Sequence, residues 1–356
     1  MKQISPSLRA RDAVLEAIYS DVFKKLDRIE NRLRDLDAKN EYLFYCLKHL
    51  EGETDLETRK RFFLSMPKAE GSVRDYQIVA DYILGRVKDI CDSHGLHFFL
   101  SGGTLLGAVR HHGFIPWDDD VDVYMLRDDY RKLEDILRDD KELEMRRYYR
   151  CLGDDQRAGY IMKIKLRESD LFFVDVFPND TFSSGEDADM IWRKSDELSR
   201  AFHRELKQLY LAHGFPVEIS RPTAFPALDE AVRSLEDKYL QKLLEAAGLE
   251  GLNQYICMGL EMEDGLRLLH RVIPASAFLP MHYNAVSFEN RCYDAPRDTD
   301  RFLTIQYGDY WRLPGNMQPL HAEEFLNISE KDKEVCERIK RQYNLGDKGL
   351  QIDRRG

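Results

Sequence analysis

Residues 115–125 read IPWDDDVDVYM, and four carboxylates, Asp118, Asp119, Asp120 and Asp122, run directly into an apolar segment. Like charges this close repel one another, and a strand end offers little to neutralise them. The stretch therefore predicts a strand whose entrance gathers acids around a positively charged occupant. Successive strand residues point to opposite faces. Asp120 and Asp122 then project together, Val121 turns to the core, Asp118 joins their face if the strand begins early, and Asp119 faces away. Hard oxygen ligands held side by side suit Mg2+, or Mn2+, with positions left open for substrate phosphates.

Two neighbouring segments extend this pattern. Upstream, HFFLS (97–101) predicts a short strand, followed by a helix entered through Gly102 and Gly103. Helix-start N–H groups beside glycines form an anion site, which makes Ser101, Gly102, Gly103 and Thr104 candidates to cradle phosphate. Arg110, at the end of that helix beside His111 and His112, either neutralises developing charge or caps the helix C-terminus. Trp117 is expected to wedge the strand entrance. Downstream, FFVDVFPND (172–180) sets Asp175 between two valines. A lone ionised carboxylate is costly to bury, so Asp175 is a third metal ligand, the base for an attacking hydroxyl, or a salt-bridged strand acid. Lys163 and Lys165 alternate on YIMKIKL and share a face, to meet substrate phosphate or to pair with nearby acids.

The remaining chain reads as α+β. Helices are expected over 73–93 and 128–139, ending the first at Gly95, with strand-like runs EMRRYYR, YIMKIKL and LFFVDVF between helical segments. Residues 186–260 read as a helical insertion, 271–330 as irregular, and EKDKEVCERIKRQYN as a closing helix. Residues 12–50 differ from all of this. Leu15, Tyr19, Val22, Leu26, Ile29, Leu33, Leu36, Asn40, Leu43, Leu47 and Leu50 recur in steps of four and three, the heptad pattern of a coiled coil. A single Asn in such a seam favours two parallel strands, so a homodimer is expected, the other reading being a helix folded back on its own domain. The charged stretch 51–60 reads as a linker.

Net charge is −11, which argues against broad nucleic-acid binding. The six cysteines are scattered without a CxxC pair, as reduced thiols in a cytoplasmic protein would be. No apolar run approaches the ~18 residues of a membrane span. A cytoplasmic location follows as the expectation, with peripheral attachment at the inner face of the membrane left open.

The block FLSGGTLLGAVRHHGFIPWDDDVDVYMLRDDYRKL (99–133) resembles the LicD family of the nucleotidyltransferase superfamily. That family includes bacterial phosphocholine transferases and has fukutin-type proteins as relatives. FFVDVFPND (172–180), FENRCYDAPRDTDRFLTIQYGDYWRLP (288–314) and His321 are similar to later segments of it. The resemblance covers roughly residues 75–325. It implies a nucleotidyltransferase-like mixed sheet flanked by helices; the N-terminal coiled-coil helix and the helical insertion at 186–260, read from their own patterns, lie outside it. The chain is then expected to divide into 1–60 (coiled coil and linker), 61–330 (catalytic domain) and 331–356 (C-terminal helix and tail).

The resemblance also implies Mg2+-dependent transfer of a phosphoalcohol, such as phosphocholine from CDP-choline, onto a sugar hydroxyl of a surface glycan or its precursor. The partners are then a CDP-activated donor and a glycan acceptor. Asp120, Asp122 and Asp175 carry the metal, with Asp118 as a further ligand. Ser101, Gly102, Gly103, Thr104, Arg110, Lys163, Lys165 and His321 bind substrate. Glu289 matches the family as a structural or acceptor-facing residue. The cluster Tyr307, Tyr310, Trp311 and Asp309 forms either a choline pocket or a packing corner against Pro314. No basic or apolar patch for a lipid-linked acceptor is evident. The rival readings are a nucleotidyltransferase acting on a sugar phosphate or small molecule, and a noncatalytic coiled-coil scaffold.

Overall fold

The heptad run forms one continuous helix, α1 (Pro6–Lys48), of 43 residues. Its seam is open: Leu33 is 55% exposed and Leu47 76%. The computed structural model describes residues 6–151, 158–182, 188–215, 219–247, 255–262, 273–280, 284–314, 317 and 328–349. The chain divides into two compact units, Met1–Phe63 with Trp311–Met317, and Leu64–Tyr310 with Gln318–Gly356.

In the first unit, a helix replaces the expected linker at 51–60: α2 (Asp55–Leu64). Its start is a capping box. The Thr54 N–H donates to Glu57 Oε2 at 2.7 Å, and the Glu57 N–H donates back to Thr54 Oγ1 at 3.3 Å. The TDLE signature is visible in the sequence but is masked by the surrounding charge. α2 folds back on the end of α1. Phe62 meets Phe44 edge-on at 4.9 Å, Arg59 pairs with Glu41 at 2.8 Å, and Arg61 donates to the Lys48 carbonyl at 2.6 Å. Trp311 belongs to this unit and lies against Phe63.

The second unit opens with α3 (Gly71–His94), which ends at Gly95 in the left-handed conformation. Then follow β1 (Phe98–Leu100), α4 (Gly102–His111), β2 (Asp122–Leu126), α5 (Arg127–Asp139), β3 (Leu143–Cys151), β4 (Ala158–Leu166) and β5 (Phe173–Phe182). The strands order as β1-β2-β5-β4-β3-β6, where β6 is Ile219–Ala224. β2 and β5 run parallel and the other neighbours antiparallel, so the sheet is mixed, as expected.

The segment 186–260 contains the expected helices, α6 (Ala188–Ala212) and α7 (Asp229–Ala247). It is not wholly helical. β6 extends the sheet beyond β3, and β7 (Tyr255–Met258) pairs with the far end of β5 and with β8 (Ile273–Pro274). Buried ion pairs fasten this segment to the core. Arg147 of β3 bridges Glu134 of α5 at 2.8 Å and Glu236 of α7 at 3.0 Å, and Tyr160 of β4 donates to Glu236. Sequence periodicity leaves 271–330 irregular, yet it also holds the hairpin β9 (Asn284–Phe288) and β10 (Arg291–Ala295) and the helix α8 (Thr299–Tyr307). α9 (Glu330–Gly349) packs on α3, where Lys340 meets Asp75 at 2.9 Å.

Candidate active site

Register brings the acids together. In the parallel pair β2/β5, Asp122 stands directly opposite Asp175. In the antiparallel pair β5/β4, Asp175 stands opposite Lys163. Adjacent strands lie ~4.8 Å apart, so Asp122, Asp175 and Lys163 form a row across three strands. β2 begins at Asp122, later than expected, so Asp120 lies on the approach to the strand. The alternation nevertheless extends backward: Asp119 and Val121 are buried, while Asp118, Asp120 and Asp122 are half-buried. The Asp175 N–H donates to the Val121 carbonyl at 2.7 Å and continues the ladder past the strand end.

The acids repel each other. The Asp118 and Asp122 carboxyls are pushed well above the usual carboxylate range, first by loss of water and then by the charge of Asp120. Asp175 adds to the effect on Asp122, and Lys163 opposes it. A buried tyrosine feels the same field. Tyr76 of α3 is raised by burial and then by Asp175, Asp120 and Asp119.

α4 closes the other side. Gly102 has φ +53, and a Cβ there would sit 2.4 Å from Asp122 Oδ2. A Cβ on Gly103 would sit 2.7 Å from Asp118 Oδ2. The two glycines therefore let a helix start approach two carboxylates more closely than any side chain allows. Thr104 has a different part from the one expected: its Oγ1 accepts the Asp122 N–H at 2.9 Å and so positions the strand. Ser101 is buried, and its N–H donates to the Asp122 carbonyl at 3.0 Å, joining β1 to β2.

The two lysines part company. Lys163 donates to Asp175 Oδ1 at 2.7 Å. Lys165, expected to bind substrate, lies away from the acids: it is buried between Glu144 and Asp170, at 2.7 Å from each. Arg110 is buried near the end of α4, drawn down to about 10 by burial and held up by the charge of Asp309. Tyr307, 44% exposed, feels the charge of both Arg110 and the acids. That phenol is pushed above its usual value by burial and then by Asp122, Asp118 and Asp120, and Arg110 acts the other way. The aromatic cluster around it divides: Tyr310 is buried and donates to Asp300 at 2.6 Å, and Trp311 lies in the first unit. His321 falls outside the described residues.

Sequence reasoning missed Gln77 as a support of the acid loop and left the part of Glu289 open. Gln77 of α3 donates to the carbonyls of Asp118 at 2.8 Å and Ile115 at 3.3 Å. Glu289, at the turn of the β9/β10 hairpin, has φ +50 and a side chain only 1% exposed. It pairs with Arg74 at 2.9 Å and Lys68 at 2.6 Å, and its Oε1 accepts the Phe114 N–H at 3.4 Å. Burial alone would raise Glu289, but Arg74 and Lys68 outweigh it and hold its carboxyl below the usual range. Glu289 is thus structural, not acceptor-facing.

A mixed sheet with acids on adjacent parallel strands, against a glycine-entered helix, defines a transferase of the nucleotidyltransferase type. Residues 95–215 match the LicD/FKTN/FKRP nucleotidyltransferase-domain family model. The chain is 28% identical over 272 residues to the lipopolysaccharide cholinephosphotransferase LicD of Haemophilus influenzae, covering 71% of this chain and 97% of that one. It is 31% identical over 134 residues to an uncharacterised protein of Rickettsia typhi, covering 36% of this chain and 40% of that one. It is also 36% identical over 64 residues to human ribitol 5-phosphate transferase, 18% of this chain and 12% of that one. Residues 95–215 thus carry a domain of the LicD type, and the similarity to these transferases supports phosphotransferase activity of that type.

Proposed function

We propose that this enzyme moves a phosphoalcohol group, phosphocholine from CDP-choline in the first instance, onto a sugar hydroxyl of a cell-surface glycan or its precursor. The observation that carries the reading is the Asp122–Asp175 register, with Asp118 and Asp122 crowded against Gly103 and Gly102. Mutual repulsion among carboxylates is relieved by a bound cation, and an all-oxygen donor set suits Mg2+ or Mn2+. Asp120, Asp122 and Asp175 would hold the ion, with Asp118 beside them. Among the described residues, no three His, Cys, Asp or Glu side chains form a ready-made cluster. The donor would therefore complete the site. When bound, the ion supplies neutralisation for the donor diphosphate.

The protein's own groups do the rest by positioning and charge. Gly102 and Gly103 leave room for a phosphate at the helix start. Lys163 holds one oxygen of Asp175 while its ammonium sits over the Phe173 ring, and its charge also favours the ionised form of Asp122. The acceptor hydroxyl oxygen forms the new P–O bond as the P–O bond to CMP breaks; CMP leaves with the electron pair, and the hydroxyl proton passes to a carboxylate of the row, for which Asp175 is the candidate. The further partner in this reading is a second copy of the chain, joined through the N-terminal coiled coil. The location in this reading is cytoplasmic, with peripheral attachment at the inner face of the membrane left open. Among the described residues, no helix is long and apolar enough to cross a membrane.

The test is release of CMP from CDP-choline in the presence of Mg2+ and a glycan acceptor. CDP-ethanolamine, CDP-ribitol and CDP-glycerol run in parallel would identify the alcohol. Pyrophosphate release from a nucleoside triphosphate, without CMP release from any CDP-alcohol, would overturn the proposal in favour of nucleotidyl transfer.

A further inference from the structure

The seam of α1 is a motif that the chemistry does not use. Leu26, Leu33, Asn40 and Leu47 occupy heptad position a, and Val22, Ile29, Leu36 and Leu43 position d. All eight are exposed. α2 folds onto the flank of α1 through Phe44 and Phe62, yet Leu43 remains 55% exposed. The helical hairpin of the first unit is therefore not what covers the seam.

We infer that the seam pairs with that of a second copy, parallel and in register. The flanking charges carry the argument. The charged residues at position g are Arg11, Lys25, Arg32 and Lys39, all basic, with Ile18 and Cys46 the uncharged ones; the charged residues at position e are Glu16, Glu30 and Asp37, all acidic. In a parallel coil each g residue faces the e residue five positions on in the partner strand. By sequence register the charged g/e pairs are 11 with 16, 25 with 30 and 32 with 37, so that Arg32 meets the second copy's Asp37. Every charged pair is attractive. An antiparallel coil would instead set g against g and e against e, so basic would meet basic and acidic would meet acidic. Charge segregation of this kind excludes the antiparallel arrangement by repulsion.

Asn40 supports the same geometry. A lone Asn at position a is satisfied by its own counterpart only when two strands run parallel and unshifted. Ile29 at position d leans by itself toward higher-order coils, and Asn40 opposes that tendency. Among the described residues, Asp37 lies 3.8 Å from Arg312 with both groups about half exposed, which leaves room for Arg32 of the other strand. Both chains leave such a coil at the same end, after Lys48.

The full chain should run in light scattering at twice its 41.8 kDa mass. Arg32→Glu should weaken association about tenfold, by turning two attractive pairs repulsive. The combined Arg32→Glu/Asp37→Arg chain should recover it. Leu36→Cys, in a Cys46→Ser background, should form an interchain disulfide under mild oxidation, as position d residues of an in-register parallel pair lie side by side. These exposed positions leave the fold intact, which the melting curve verifies. A monomer at tens of micromolar, a trimer or tetramer mass, no recovery in the charge-swapped chain, or no disulfide from Leu36→Cys would each overturn the inference. None of these outcomes depends on which group the enzyme transfers.

Discussion

Gly102→Ala separates backbone strain from site geometry. Two costs act at this position. The first is conformational: an L-residue at φ +53 costs about 1 kcal/mol. The second is steric: the new Cβ would lie 2.4 Å from Asp122 Oδ2. Asp122 Oδ2 is the far end of a rotatable side chain, so it can retreat by about 1 Å at little cost to stability. A displacement of that size at a reacting centre costs about 100-fold in rate. Gly95→Ala provides the control: its φ is +64, and nothing lies within 4 Å of the added Cβ. Both variants should lose about 1 kcal/mol, a few degrees of melting temperature. Only Gly102→Ala should lose about two orders of magnitude in kcat/KM for CMP release. The reasoning fails if Gly102→Ala keeps more than a third of wild-type activity, or if Gly95→Ala is equally impaired.

Asp122→Asn should abolish turnover while raising the melting temperature measured in EDTA, because it removes one member of a mutually repelling set; on the order of 1 kcal/mol is expected for one relieved pair at short range. A lower melting temperature would count against the crowded-acid description. Glu289→Gln should lower kcat more than it raises KM, since it loosens the loop through Phe114 and leaves Arg74 partly unpaired; unchanged kinetics would dismiss the clamp. Glu236 sets part of the acid limit of the fold. Burial works to raise it, but Arg147 and Arg131 overcome that and hold it at about 2. A folded value below the unfolded one contributes stability above the ordinary carboxylate value, which is lost as pH falls toward 2. The melting temperature of the wild type should therefore fall between about pH 4.5 and 2 more steeply than that of Glu236→Gln, which starts lower by a few kcal/mol. Equal slopes would show that other carboxylates govern acid unfolding.

The comparison of sequence with structure turns on the range of the interactions involved. The α1 seam, the ending of α3 at Gly95, the strand leading to Asp122 and the glycine start of α4 are all local patterns. A period of 3.5, a period of 2, or a glycine where φ must be positive is legible without knowing what lies opposite. The adjacency of Asp175 to Asp122 was foreseeable only as an expectation, because it requires a parallel pairing across an intervening hairpin.

Three decisions belonged to tertiary structure alone. Lys163 and Lys165 share a strand face, yet register sets one opposite Asp175 and the other opposite Glu144. Tyr310 and Trp311 are adjacent in sequence but fall in different units. Gln77 and Glu289 are 41 and 175 residues from the acid loop residues they hold, Asp118 and Phe114. Helical and strand periodicity record which side of an element is dry. They carry no information on which distant side chain completes a charge, and at this site the completing charges and hydrogen bonds come from elsewhere in the chain.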